Sequence, residues 1–445
     1  MADRIVLSWS GDPSTTMSVT WRTDTTVQRA VAEIAPAERG PKFVDRRKSN
    51  NAESQYLKTD LGPSLRHTVT FKGLVPETLY LYRVGDGSNW SEWAEFQTTS
   101  TEPAPFSFVY FGDAQNDVKS HWSQVVRRAF RDAPKASFFL HAGDLINRSE
   151  SDAEWGEWFY AGGFIHRSIP CVATPGNHEF GRVGDSEERR LSIHWQPQFA
   201  FPQNGPDGLK ESACCFDFQG TRIVSLNSNE KIEEQARWLD NILSDNPNRW
   251  TVLTFHHPMY SASAGRDNPH LQAVWQPIID KHQVDLVLQG HDHTYARSQL
   301  MTADVNLMTG VSHRDPNTGT VYVVSVSGPK MYELGRRPFM RRAAEDTQLY
   351  QIIKIDRVQL TYEARTAIGD LYDGFVLRKD DNSRRVLIEQ IPGTVESRRP
   401  ESTRKKQPKA EDVVKKWLME LDRNQDNQLT RDELPKDLLV YFQCG

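Results

Sequence analysis

The segments Ser107-Phe-Val-Tyr-Phe-Gly-Asp113 and Ser137-Phe-Phe-Leu-His-Ala-Gly-Asp144 decide how this chain folds. Each is a continuous apolar run that ends in Gly-Asp, and such runs read as strands buried on both faces. Three more runs follow the same rule. Residues 169–173 lead into Gly176-Asn177-His178-Glu179, residues 250–255 into His256-His257-Pro258, and residues 284–288 into Gly290-His291-Asp292-His293. Helical spacing lies between them, at Val118, Trp122, Val125, Val126 and Ala129 and again at Ala236, Leu239 and Leu243. Runs at 321–326, 349–353 and 376–391 read as further strands. Strands alternating with helices predict an α/β sandwich, with two β-sheets flanked by helices, over residues 103–391. In such sheets ligands gather beyond the carboxyl ends of the strands. Asp113, Asp144, Asn177, His256, His291 and His293 are therefore expected to converge. Carboxylate, amide oxygen and imidazole are donors for divalent metals, and a shared carboxylate would offset the repulsion of two cations.

Outward from this core the pattern changes. Residues 1–100 read as short alternating strands with turn punctuation, such as Ile5, Leu7 and Trp9 before Gly11-Asp12-Pro13 and Met17, Val19 and Trp21 after it. They predict an all-β, fibronectin-like sandwich. The segment Leu74-Val-Pro76-Glu-Thr78-Leu-Tyr80 is similar to the tyrosine corner of such domains. Residues 392–410 have the Pro-, Ser- and charge-rich composition of a linker, with Arg398, Arg399, Arg404, Lys405, Lys406 and Lys409 opposing Glu396 and Glu401.

Residues 411–445 read as a small α-helical EF-hand module. Asp422, Asn424, Asp426, Gln428, Thr430 and Glu433 fall at the loop positions that supply oxygen to calcium, Gln428 through its backbone carbonyl. Asn427 stands where the loop turns sharply and Gly is usual, and Asn is the best substitute there.

Composition excludes several classes. The 445 residues are 38% hydrophobic, which supports real cores, and four Cys cannot make a disulfide scaffold. Free, mostly buried thiols are expected. A formal charge of −5 argues against a nucleic-acid binder, and no apolar run reaches the length of a membrane span.

The ordered motifs Gly112-Asp113, Gly143-Asp144, Gly176-Asn177-His178-Glu179, His256-x-Pro258-x-Tyr260 and Gly290-His291-x-His293 resemble those of the calcineurin-like metallophosphoesterases. With the preceding sandwich, the chain is most similar to purple acid phosphatases. The resemblance implies that Asp113 and His293 bind one metal, that Asn177, His256 and His291 bind a second, and that Asp144 bridges them. It implies that His178 faces the substrate as a proton donor or phosphate contact. Two positions depart from the family. A Tyr that binds ferric iron in purple acid phosphatases is Asn147 here, and Gln115 stands where other phosphoesterases often carry His. Both offer only neutral oxygens, so the site is expected to hold two divalent ions (Mn, Zn or Fe(II)) and to be colourless. The family's substrate-side histidines after His256 are replaced by Gly265-Arg266, and Arg266 is a candidate grip on phosphate. His257 has a better claim to be structural.

These readings imply a phosphomonoesterase acting on a small phosphate ester through in-line attack by a metal-bridging hydroxide. The alternatives are a phosphodiesterase on the same core and an inactive, calcium-binding adhesion scaffold. The flanking modules suggest an extracytoplasmic protein read without its leader. The other reading is cytoplasmic, since Met1-Ala2-Asp3-Arg4-Ile5 does not start a signal peptide.

Overall fold

The computed structural model describes residues 1–400 apart from 185, 264, 304–317, 336 and 381–383. The calcium-loop residues Asp422, Asn424, Asp426, Gln428, Thr430 and Glu433 lie outside the described residues, as does Cys444.

The strand Phe106–Phe111 alternates its side chains between two cores. Phe108 and Tyr110 point to one, Val109 and Phe111 to the other. That period of two fixes a layered design. Phe106–Phe111 pairs in parallel with Phe139–His141, which pairs in parallel with Cys171–Ala173. On its other side lie Leu349–Ile355, Gln359–Thr366, Leu371–Lys379 and Arg385–Glu389, all antiparallel, completing a seven-stranded sheet. A second seven-stranded sheet runs Cys214–Phe218, Thr221–Ser225, Trp250–Thr254, Leu286–Gln289, Thr320–Val324, Tyr295–Met301, Met340–Ala344. Its middle four strands, Thr221–Ser225 to Thr320–Val324, are parallel.

The sheets face each other across Phe108, Tyr110, Phe138 and Leu140 on one side and Ile223, Trp250, Val252, Leu286 and Leu288 on the other. Helices Ser123–Asp132 and Asp152–Gly162 cover the outside of the first sheet through Val125, Val126, Trp155 and Trp158. Helices Ile232–Ser244 and Pro269–Lys281 cover the second through Leu239, Leu243, Leu271 and Trp275. The order of layers is helix, sheet, sheet, helix, as the alternation of runs and helical spacing predicts.

Two four-stranded antiparallel sheets form the N-terminal sandwich. One is ordered Asp3–Ser8, Met17–Thr23, Gly62–Phe71, Glu53–Thr59, and the other Lys48–Asn51, Val31–Pro36, Leu79–Gly85, Ala94–Gln97. At the expected corner the Tyr80 hydroxyl accepts from Val75 N–H at 2.9 Å. Buried Arg4 and Arg66 and partly exposed Arg22 reach from the sandwich to Asp152 at the start of a core helix, at 2.6, 3.0 and 3.0 Å. Charges this dry must be paired, so the cluster fixes how the sandwich seats on the core.

Residues 394–397, linker by composition, are tied back to the core. Thr394 O accepts from Arg342, Glu396 Oε1 from Ala343 N–H, and Ser397 N–H donates to the Tyr372 hydroxyl. Cys171, Cys214 and Cys215 are free thiols. Among the described residues no helix is long and apolar enough to cross a membrane.

Candidate metal centre

Each site residue leaves a strand at its carboxyl end. Asp113, Asp144 and Asn177 follow the three parallel strands of the first sheet, while His256 and His291 follow two parallel strands of the second. His293 stands just before Tyr295–Met301. The tight exits need unusual backbone, with Asp144, His291 and His293 all at positive φ, between 48° and 75°. Two glycines let the halves close. A Cβ on Gly143 would stand 2.8 Å from His256 Nδ1, and one on Gly290 would stand 2.2 Å from Asp113 Oδ1.

The six expected donors meet. His293 Nε2 lies 3.2 Å from Asp113 Oδ2, and His256 Nε2 lies 3.2 Å from Asp144 Oδ2. Asn177 Oδ1 is 3.1 Å from His256 Nε2 and 2.9 Å from His291 Nδ1. Gln115 joins them, with its amide 2.9 Å from Asp144 Oδ2 and 3.0 Å from His293 Nε2. Asp113, Asp144 and His293 form one cluster suited to a metal, and His256, His257 and His291 another.

The ring orientations decide what the site can hold. His293 faces the Lys330 carbonyl through Nδ1 at 2.9 Å, and His256 faces the Ala142 carbonyl through Nδ1 at 2.9 Å. Nδ1 of each must carry the proton. The Nε2 lone pairs then meet carboxylate and amide oxygens across about 3 Å, a repulsive arrangement unless a proton or a cation stands between. Gln115 Oε1 is buried and makes no hydrogen bond among the described residues. Turning that amide, whose O and N are not distinguished by shape, would present its oxygen to the same cluster. The donor set fits divalent metal ions.

The charges agree. Burial, then the neighbouring Asp144 charge, push Asp113 up to about 7, although His256 opposes the rise. Burial would also raise Asp144, but His256 outweighs it and the carboxyl lies well below the usual range. Burial opposes the charge on His256, yet Asp144 and Asp113 raise it to about 9. Burial lowers His293 to about 3 and holds His291 far below its ordinary value. Two dry carboxylates thus share one imidazolium, and the other two rings are bare donors.

The substrate-side candidates are placed as follows. His178 N–H donates to Asp144 Oδ1 at 2.9 Å, and its Nδ1 meets the Asn147 carbonyl at 2.5 Å, which leaves Nε2 uncommitted. Asn147 is engaged through its backbone, its N–H donating to Glu154 at 2.8 Å, while its side chain makes no hydrogen bond among the described residues. Arg266 is held by Asp292 at 3.0 Å and by the His291 carbonyl at 3.3 Å, with its guanidinium over Tyr332. His257 Nδ1 lies 2.8 Å from the Ser228 hydroxyl.

Two residues escaped the sequence reading. Glu179 is fully buried, and its carboxylate accepts from Asp144 N, Leu145 N and Gly176 N at 2.7–2.8 Å, bracing two ligand loops. Asp292 accepts from Ser261 Oγ and Ala262 N as well as Arg266. Each sat inside a quoted motif, and an acid directly beside a motif histidine was the available signal.

Strand ends bearing carboxylates on one sheet and imidazoles on the other define a dinuclear metallohydrolase architecture. The relatives give it a family. Residues 2–98 match the N-terminal domain of purple acid phosphatases, and residues 106–295 match the calcineurin-like phosphoesterases. The chain is 27% identical over 334 residues to human acid phosphatase type 7, covering 66% of this chain and 70% of that protein. It is 24% identical over 247 residues to the Fe(3+)-Zn(2+) purple acid phosphatase 12 of Arabidopsis thaliana, about half of each chain. A purple acid phosphatase from yellow lupin seeds superposes with a TM-score of 0.72 at 18% identity, covering 86% of this chain and 75% of that one. The chain carries a calcineurin-like phosphoesterase domain behind the N-terminal domain of the purple acid phosphatases. It is a phosphatase.

Proposed function

We propose that the chain hydrolyses phosphate monoesters with two divalent cations. Asp113, His293 and Gln115 hold the first and Asn177, His256 and His291 the second, with Asp144 shared. The supporting observation is the set of imidazole nitrogens facing carboxylate and amide oxygens across 2.9–3.2 Å. When bound, the two ions supply an acidified water and neutralise the phosphoryl oxygens.

The protein's own groups do the rest. The Asn147 carbonyl fixes the His178 tautomer, so the protonated ring can give its Nε2 proton to the leaving oxygen. Asp144 accepts the His178 backbone N–H and so ties this acid to the shared ligand. Arg266, braced by Asp292 and Tyr332, keeps Nη1 for a phosphoryl oxygen. The neutral oxygens of Gln115 and Asn147 favour divalent ions over a ferric–phenolate pair.

Elemental analysis, a visible spectrum and assays on p-nitrophenyl phosphate and bis(p-nitrophenyl) phosphate test the reading together. Two divalent ions, no strong charge-transfer band and faster monoester turnover are expected. A preference for the diester would move the assignment to a phosphodiesterase. Metal-loaded protein inert on both would leave a binding scaffold.

A further inference from the structure

Beside His178 the fold opens a cavity of about 440 Å³ that the hydrolytic assignment does not use. One wall is the loop 147–151. The other is a small hairpin, Phe180–Arg182 paired with Arg189–Leu191, that directly follows the metal-ligand loop. Arg148, Arg182 and Arg189 line the cavity together with His178.

The hairpin register is unfavourable on its own. Arg182 and Arg189 are directly opposed across the two strands, and like charges so placed destabilise a hairpin. Little offsets them. Arg182 meets Glu187 at 3.5 Å with both side chains exposed, which is worth little in water. Arg189 donates to the carbonyls of Asn177 and Phe180 at 3.1 and 2.7 Å, and carbonyls leave its charge uncancelled. Among the described residues no carboxylate pairs with Arg189. Arg148 is paired with Glu154 at 2.7 Å. Two carboxylates also face the cavity. Asp60 accepts the Asp152 N–H, and burial raises the Glu150 carboxyl. The lining therefore sets three guanidinium groups against two carboxylates, with Arg189 the one that no carboxylate among the described residues meets.

We propose that this cavity is a subsite for a second phosphoryl group, so that the preferred substrates are phosphate esters whose leaving group carries a further phosphate. The inference rests on the phosphatase reading and adds its substrate class. His178 stands at the boundary, its backbone on Asp144 and its ring in the cavity wall, which puts the acid between the two phosphates of such a substrate. Guanidinium forks on opposite strands suit a tetrahedral dianion better than a single lysine would. Occupancy also removes the repulsion within the hairpin.

The test compares fructose 1,6-bisphosphate with fructose 6-phosphate in wild type and in Arg182→Ala. The ratio of their kcat/KM values is expected to favour the bisphosphate by about tenfold or more and to fall severalfold in the variant, through KM. Equal values in wild type, or an unchanged ratio in the variant, overturn the subsite. Titration calorimetry gives a readout free of turnover. Methylenebisphosphonate should bind the full-length protein more tightly than methylphosphonate, with the gap narrowed in both Arg182→Ala and Arg182→Gln. Protein that turns over neither ester tells against the phosphatase reading, and the calorimetry then decides the subsite alone. A gap that both variants retain refutes it.

Discussion

The two seven-stranded sheets bring different chemistry to the same edge. The first ends its parallel strands in oxygen donors, Asp113, Asp144 and Asn177. The second brings nitrogen donors, His256, His291 and His293. The oxygen half holds the negative charge and Asp144, the carboxylate proposed as shared, and its loops are braced by the buried Glu179 carboxylate. The nitrogen half aims its rings through carbonyls, Ala142 for His256 and Lys330 for His293. One half supplies charge and the other direction. Loss of the Asp144 charge should cost affinity for both ions, and loss of one imidazole should cost one ion at a time.

The largest effect is expected from Asp144→Asn, which keeps shape and removes the shared charge. Activity should fall by at least about 10³-fold, with both ions lost. Elemental analysis that found two ions in this variant would refute the shared-ligand role. His291→Ala should be milder. One ion per chain should remain, and activity should fall by about 10²-fold. Loss of both ions there would erase the distinction between the halves.

Glu179→Gln leaves every ligand in place and weakens the brace. Metal affinity should fall by about 10–100-fold, as when other groups that orient ligands are changed. A pH signature accompanies it. Burial, then the Asp144 charge, raise the Glu179 carboxyl from 4.5 to about 8 in the metal-free protein. Its contribution to stability is therefore complete below about 4.5 and is lost as pH climbs towards 8. Gln does not titrate. Urea unfolding of chelator-treated wild type and variant at pH 5 and pH 8 should show the stability of wild type over the variant shrinking at the higher pH. A gap that stays constant would show that Glu179 is ionised throughout.

The strands and the six donors were legible because each apolar run stops at a donor, and strand direction carries those donors to one edge. The partition between sheets was not legible. It depends on Leu349–Ile355 inserting beside Phe106–Phe111, a pairing across more than 200 residues that no local pattern announces. The orienting groups at Ala142, Lys330 and Asn147 are backbone carbonyls, which any residue supplies. Asn147 was read through its side chain, while in the fold its carbonyl meets His178. The hairpin at 180–191 was missed because strands of three residues, rich in Arg, carry no alternating apolar face.

The smallest effect is expected at His257, where sequence motif and geometry pull apart. Its ring lies 4.5 Å from His291, and with His256 and His291 it forms a cluster close enough to share an ion. Its Nδ1, however, meets the Ser228 hydroxyl at 2.8 Å, and the Ser228 hydroxyl also accepts the His257 N–H at 3.0 Å. Burial lowers the ring to about 3, so it brings no positive charge at neutral pH and repels no cation. Asn177 already supplies the second cluster with an oxygen that His257 would have to displace. His257→Gln should therefore keep two ions and lower kcat/KM by less than about threefold, under about 0.7 kcal/mol in the barrier. Loss of one ion in that variant would make His257 a fourth nitrogen ligand and shift the second ion away from Asp144, towards the nitrogen sheet.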